Sequence, residues 1–281
     1  MNVIGVIGAG TMGRGVAFVF AEKGNEVILL DRSEEALTAA KTDIFNMLRF
    51  RSFGKSGTNS DSIETVLSRI EFTKDYDKLS RTDYVIENAN EKLDIKKEIY
   101  PVIDKICRED VIFIVNTSCI SITKLASLTT RPKQVIGAHF MNPVGMIHAV
   151  EVIKGLHTSE DTLNSLKLLL SNIGKESIVV EDSPGFVTNR ISHLMMNEAA
   201  FIVQDQCATP EAVDMIFRKC YGHKMGPLET ADLIGIDTVV DSLDVLFDSF
   251  KDSKFRCCPM LRKMADAGLK GRKTGAGFYK Y

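Results

Sequence analysis

His139 and Glu151 are the side chains whose types and setting best suit acid–base chemistry. An imidazole takes up and returns a proton near neutral pH. A carboxylate bonded to its second nitrogen fixes the tautomer and stabilises the imidazolium that forms. Each residue sits in an apolar run that reads as a strand: Val135-Ile136-Gly137-Ala138 before the histidine, and residues 149–153 around the glutamate. A connection containing Pro143 and Gly145 can fold one run back on the other. A lone histidine is as well explained by a structural role, and His148, His157, His193 and His223 have no comparable support.

The chain also opens with Gly8-Ala9-Gly10-Thr11-Met12-Gly13, a GxGxxG turn between a short apolar strand and a helix. The first glycine permits the tight turn, the second lets backbone approach a pyrophosphate, and the third allows close helix–strand packing. The phosphates would lie at the helix N-terminus, where amide N–H groups point outward. Asp31 ends the next strand, where a carboxylate accepts from a ribose diol, so the sequence favours NAD over NADP; Arg32 beside it leaves that choice open. A base beside a nicotinamide implies alcohol oxidation by hydride transfer.

Asn116-Thr117-Ser118-Cys119 follows another apolar run, at the strand end that faces a ligand crevice in such sheets. Ser118 fits either contact with substrate or nicotinamide, or capping of the next helix. Asn189, after Pro184-Gly185-Phe186, could orient a substrate carbonyl or cap its helix. Lys41 and Asp43 read as part of a solvated helix face, and nothing marks Cys119 as a nucleophile.

These residues need a scaffold, and the pattern supplies one. Strands are expected at 2–7, 26–30, 70–72, 84–87, 111–115, 135–138 and 177–180, with helices at 14–23, 33–50 and 93–107 between them. This is an α/β, Rossmann-like, doubly wound and largely parallel sheet. Residues 51–62, rich in Ser, Gly, Lys and Asn, read as a loop. After Asp182-Ser183-Pro184-Gly185 the strands give way to helices at 187–206, 210–219, 230–250 and 259–267. The expected domains are therefore 1–183, binding the nucleotide, and 184–281, all-helical.

Composition narrows the classes. The 281 residues are 44% hydrophobic and 26% charged, with a net charge of −2, which gives no electrostatic case for nucleic acid. The six cysteines show no zinc spacing and read as reduced cytosolic thiols, so no metal is expected. The N-terminus is a glycine-broken strand without a signal peptide's basic start, and no apolar run approaches a membrane span. The expectation is a cytoplasmic protein with no membrane partner.

Together the motifs resemble the short L-3-hydroxyacyl-CoA dehydrogenases, the bacterial 3-hydroxybutyryl-CoA dehydrogenases among them. The resemblance covers nearly the whole chain. Its markers are the glycine turn, Asn116-Thr117-Ser118, His139-Phe140-Met141-Asn142-Pro143, Val150-Glu151-Val152-Ile153 and Pro184-Gly185-Phe186-Val187-Thr188-Asn189-Arg190. Met225-Gly226-Pro227-Leu228, Asp232-Leu233-Ile234-Gly235 and Gly271-Arg272-Lys273-Thr274-Gly275 complete them. It implies an NAD domain, a helical C-terminal domain that dimerises, and an acyl thioester substrate. It makes His139 the base, oriented by Glu151 and assisted by Ser118 and Asn189. It places Asp31 at the adenosine ribose, and Glu91, Lys96, Ser118, Asn142 and Lys273 near the cofactor.

Departures from the family pattern stand at Asn88, Gly145 and His148, and where CoA would be held the chain reads Asn46-Met47-Leu48 and Phe53-Gly54-Lys55. With Tyr221-Gly222-His223-Lys224-Met225-Gly226-Pro227 and Lys254-Phe255-Arg256-Cys257-Cys258-Pro259, these are similar to dehydrogenases of polyketide extender-unit pathways. Those act on glyceryl groups carried by an acyl carrier protein, on the route to hydroxymalonyl or methoxymalonyl carrier. Arg49, Arg51 and Lys55 could form a basic patch for such a carrier. Two other readings are a non-catalytic NAD-binding protein, which the His139/Glu151 pair disfavours, and a hydroxyacid dehydrogenase with a lysine acid–base group.

Overall fold

Alternation of apolar runs with half-apolar stretches becomes alternation of strands with helices in the computed structural model, which describes residues 1–53 and 61–281. The reading of 51–62 as a loop is corrected at 51–53, which continue the preceding helix; most of the rest, with Gly54 and Lys55, lies outside the described residues. In chain order the first unit, Met1–Asp182, comprises β1 (Val3–Ile7), α1 (Thr11–Glu22), β2 (Glu26–Leu30), α2 (Glu34–Phe53), α3 (Ile63–Ser68), β3 (Ile70–Thr73) and β4 (Tyr84–Glu87). It continues with α4 (Leu93–Ile106), β5 (Ile112–Val115), α5 (Ile122–Ala126), β6 (Val135–Phe140), β7 (Ala149–Lys154), α6 (Glu160–Asn172) and β8 (Glu176–Glu181).

The strands form one eight-stranded sheet in the order β3-β2-β1-β4-β5-β6-β7-β8. All neighbours are parallel except β6 and β7, which are antiparallel. The order reverses beside β1, and the crevice at a strand reversal is where such sheets bind ligands. Helices bury the sheet faces: Val16, Ala17, Phe20 and Ala21 of α1 pack into a core with Val6, Leu29 and Ile86. Side-chain caps set several helix starts, with Ser33 Oγ accepting from Ala36 N and Ser159 Oγ from Thr162 N. The fold is thus the doubly wound one expected, with α3, α5 and α6 added to the elements read from the sequence.

The second unit, Ser183–Tyr281, is helical: α7 (Thr188–Gln204), α8 (Pro210–Cys220), α9 (Pro227–Ile234), α10 (Ile236–Phe250) and α11 (Pro259–Asp266). Met196, Ala200, Leu228, Val239, Leu243 and Leu261 belong to its core. Its pattern departs from expectation at one place. The single helix expected over 230–250 is two, because Gly235 takes φ +105° between α9 and α10. The glycine-rich tail is not loose. The Asp232 carboxylate accepts from Phe278 N, Tyr279 N and Tyr281 OH at 3.0, 2.9 and 3.1 Å.

Candidate active site

The antiparallel β6–β7 pair settles how His139 meets Glu151. The two residues stand directly opposite in the register, so their side chains leave the same face of the sheet. His139 Nδ1 lies 3.1 Å from Glu151 Oε2, and both side chains are buried. A carboxylate only accepts, so Nδ1 carries the proton and Nε2 is left as the basic nitrogen. Ser118 Oγ lies 3.2 Å from that Nε2 and donates to it. Three of the residues singled out in the sequence therefore form one line, Ser118–His139–Glu151, from the turn after β5 to β6 and β7.

Glu91 holds Ser118 in place. Its Oε1 accepts from the Ser118 and Cys119 amides, both at 2.9 Å, and from Thr117 Oγ1. Asn116 ties the same turn to the strands beside it. Its Oδ1 accepts from Phe140 N at 3.2 Å, and its Nδ2 donates to Asn88 Oδ1 at 2.7 Å. Asn88, a departure from the family pattern, thus has a partner within the site. The sequence placed Asn116 at the right strand end but gave it no role; the polar cluster after an apolar strand was the available signal.

The glycine turn has the shape its spacing implies. Gly8 has φ +95°, and a Cβ there would sit 2.7 Å from Asn88 O; a Cβ at Gly13 would sit 1.7 Å from Gly8 O. At Gly10 nothing lies within 4 Å, so the backbone is open to an approaching ligand. Asp31 Oδ2 accepts from Ala9 N at 2.8 Å, and Oδ1 from Ser33 N at 2.9 Å. The carboxylate bridges the glycine turn to the start of α2. Open backbone at a helix N-terminus with an acid at the second strand's end suits a dinucleotide with a free ribose diol.

Lys96 has a different setting. Its side chain is 0% exposed, and Nζ lies 2.6 Å from Glu87 Oε2. Glu87 also accepts from Ala89 N at 2.6 Å and from Tyr100 OH at 3.3 Å. Burial pushes the Glu87 carboxyl above the usual carboxylate range, while Lys96 pulls it down. Lys96 therefore braces the turn after β4.

Asn142 precedes a cis peptide bond to Pro143 and lines a cavity of about 900 Å³. Arg14, Phe18, Met47 and His148 also line it. Asp43 lines it as well and pairs with Arg14 across α1 and α2, while its side chain stays 40% exposed, in keeping with a solvated face. The pairing was invisible because Arg14 and Asp43 lie on different helices. In the helical unit, Asn189 is buried in the first turn of α7, and Lys273 pairs with Asp237. Among the described residues no helix is long and apolar enough to cross a membrane, and no cluster of His, Cys, Asp and Glu could hold a metal.

Comparison with known proteins gives two adjoining matches. Residues 3–183 match the 3-hydroxyacyl-CoA dehydrogenase NAD binding domain, and residues 185–281 the 3-hydroxyacyl-CoA dehydrogenase C-terminal domain. A probable 3-hydroxybutyryl-CoA dehydrogenase of Deinococcus radiodurans is 44% identical over 280 residues, covering 99% of each chain. A similar protein of Bacillus subtilis, a probable 3-hydroxybutyryl-CoA dehydrogenase, is 41% identical over 98% of this chain and 96% of its own. The crystal structure of (S)-3-hydroxybutyryl-CoA dehydrogenase from Ralstonia eutropha superposes with a TM-score of 0.95 at 41% identity, covering 100% of this chain and 99% of that one. These relatives lend no support to the polyketide branch.

Proposed function

The chain belongs to the 3-hydroxyacyl-CoA dehydrogenase family, and from that premise we propose that it interconverts 3-hydroxybutyryl-CoA and its 3-oxo ester with His139 as the acid–base group. It is an NAD-dependent oxidoreductase of 3-hydroxyacyl thioesters. The observation that carries the catalytic assignment is the Ser118–His139–Glu151 line, which leaves a basic Nε2 beside a hydroxyl.

In oxidation, His139 Nε2 takes the proton of the substrate's 3-hydroxyl. Ser118 Oγ holds that hydroxyl near Nε2, and Glu151 offsets the imidazolium charge. Bound NAD supplies the acceptor for the hydride that leaves C3. In reduction, His139 returns the proton to the new alkoxide. Gly8, Ala9, Gly10, Thr11, Met12 and Gly13 would hold the pyrophosphate, Asp31 the ribose, and Asn142 the end nearer the base. Glu91 acts through the Ser118 turn, and Lys96 through Glu87. Asn189 is proposed at the thioester carbonyl from its amide and its place after Pro184-Gly185-Phe186 together with the family resemblance, and Lys273 at the cofactor from that resemblance alone.

We assign residues 1–183 to NAD binding and 184–281 to substrate binding and dimerisation, in a cytoplasmic homodimer. Ile191, Met215, Ile216 and Tyr221 of the helical unit are exposed and suit a subunit contact. The carrier is proposed to be CoA. The basic patch for an acyl carrier protein is reduced, since Arg51 pairs with Glu22 and lies over Phe18. Steady-state oxidation of 3-hydroxybutyryl-CoA with NAD, set against the carrier-bound glyceryl and 3-hydroxybutyryl esters, tests the reading. A higher kcat/KM on any carrier-bound ester would move the substrate to the acyl carrier protein; no NADH formation from any 3-hydroxyacyl thioester would end the assignment.

A further inference from the structure

One buried cation has no part in this chemistry. Lys175 lies in the turn between α6 and β8 and is buried. Its ammonium donates to two backbone carbonyls of the β6–β7 connection, Val144 O and Ile147 O, each at 2.5 Å. Withdrawing an ammonium from water is unfavourable unless its donors are satisfied. Burial, and after it the charge of Arg51, draws the Lys175 pKa below the ordinary lysine value. The fold accepts that cost to tie down carbonyls that belong to no strand or helix.

The same connection is braced from the other side. A Cβ at Gly15 of α1 would lie 3.0 Å from Val144 Cγ2, and one at Gly145 would lie 3.2 Å from Phe18 Cε1. Residues 142–147 are thus held between α1 and Lys175. They also line the 900 Å³ cavity, through Asn142, Val144, Gly145 and Met146, together with Arg14 and Met47. The segment starts two residues after the end of β6, the strand that carries His139.

We infer that Lys175 is a positioning residue for the substrate: its two hydrogen bonds fix residues 144–147 as the wall along which the carrier arm of the thioester lies. This rests on the dehydrogenase reading above. A wall held in one place lowers the ordering that the flexible arm must supply on binding. Lys175 touches no reacting atom, so its removal is felt in binding of the arm and not in the chemical step.

The test compares wild type, Lys175→Met and Lys175→Gln. Each oxidises 3-hydroxybutyryl-CoA and the corresponding N-acetylcysteamine thioester, which lacks most of the arm. In Lys175→Met, KM for the CoA ester rises roughly tenfold, the scale of a lost charged hydrogen bond. Lys175→Gln, which keeps an amide donor, shows a smaller rise. The kcat values and the KM of the truncated ester move by less than about twofold. Equal rises for both esters, or a loss confined to kcat, would reduce Lys175 to support of the fold and overturn the inference. If Lys175→Met does not fold, the ratio of the two KM values in Lys175→Gln decides, and an unchanged ratio overturns it. A wild type inactive on both esters removes the dehydrogenase reading, and the inference with it.

Discussion

Glu151 of the sheet unit and the buried aspartates of the helical unit face different partners. In the sheet unit, Glu151 faces an imidazole across a strand pair. In the helical unit, Asp214 and Asp232 are both 0% exposed and face amides and phenols. Asp214 accepts from Leu228 N at 2.9 Å, Glu229 N at 2.8 Å and Tyr279 OH at 2.7 Å, so it caps α9 and holds the chain's end. Burial, followed by that hydrogen bond, raises the Tyr279 pKa, so the phenol stays a donor. Amides and such phenols do not change protonation near neutral pH, whereas an imidazole does. Burial of an acid is therefore no sign of catalysis by itself.

The comparison breaks first at His139. His139→Ala should lower kcat by about a hundred- to ten-thousand-fold, the usual worth of general acid–base help. NAD affinity, read by fluorescence titration, should stay near the wild-type value. Near-normal turnover in a folded variant would leave Glu151 with the same structural part as Asp214. Glu151→Gln is expected to cost less, roughly ten- to a hundredfold in kcat, the scale of a hydrogen bond to a charged group. Its melting temperature should change little beside the catalytic loss.

Asp31 lies between the two kinds. It accepts backbone amides as Asp214 does, yet it sits where a ribose is expected. Asp31→Ala should weaken NAD binding by about tenfold and narrow the preference over NADP. Calorimetric titration with both nucleotides would check this, and wild-type preference for NADP would return Asp31 to a purely structural role. Asp232→Asn gives the opposite outcome to Glu151→Gln. It should remove about 2–3 kcal/mol of stability in urea unfolding, through weaker bonds to the tail. The kcat per folded enzyme should stay within about twofold. A large loss of turnover at full stability would erase the distinction between Glu151 and the buried aspartates.

The parts of this arrangement that are local were legible in the sequence. The glycine turn is a contiguous motif between a strand and a helix. The His139/Glu151 pair follows from two apolar runs and a short connection between them. Pairings between distant segments were not legible. Lys96 lies on an amphipathic helix, where a lysine ordinarily reads as surface, and only β4 brings Glu87 under it. Lys175 has carbonyls for partners, and a sequence carries no mark of which carbonyls need a donor. Gly235 escaped because apolar residues continue at helical spacing on both sides of it; only the positive φ divides α9 from α10. The roles of Asp214 and Asp232 depend on where residues 278–281 return, a long-range contact that no local pattern encodes.

The smallest effect concerns thiols, and it sharpens the contrast between buried and functional. Cys107 of the sheet unit and Cys257 of the helical unit are buried, and burial raises both thiols to about 11. The thiolate is the reactive form, so at pH 8 only about one in a thousand of either is reactive. The fraction grows as pH rises toward 11, the direction expected when burial disfavours the anion. Cys207 and Cys220 are exposed. Brief iodoacetamide treatment of the native enzyme at pH 8, followed by peptide mass spectrometry, should label Cys207 and Cys220 and leave Cys107 and Cys257 unmodified. Turnover should be retained, since neither labelled residue belongs to the proposed site. Labelling of Cys107 at the rate of Cys220 would mean that the sheet unit opens far more readily than its packing implies. The rigid placement of Ser118, His139 and Glu151 would then no longer account for the rate.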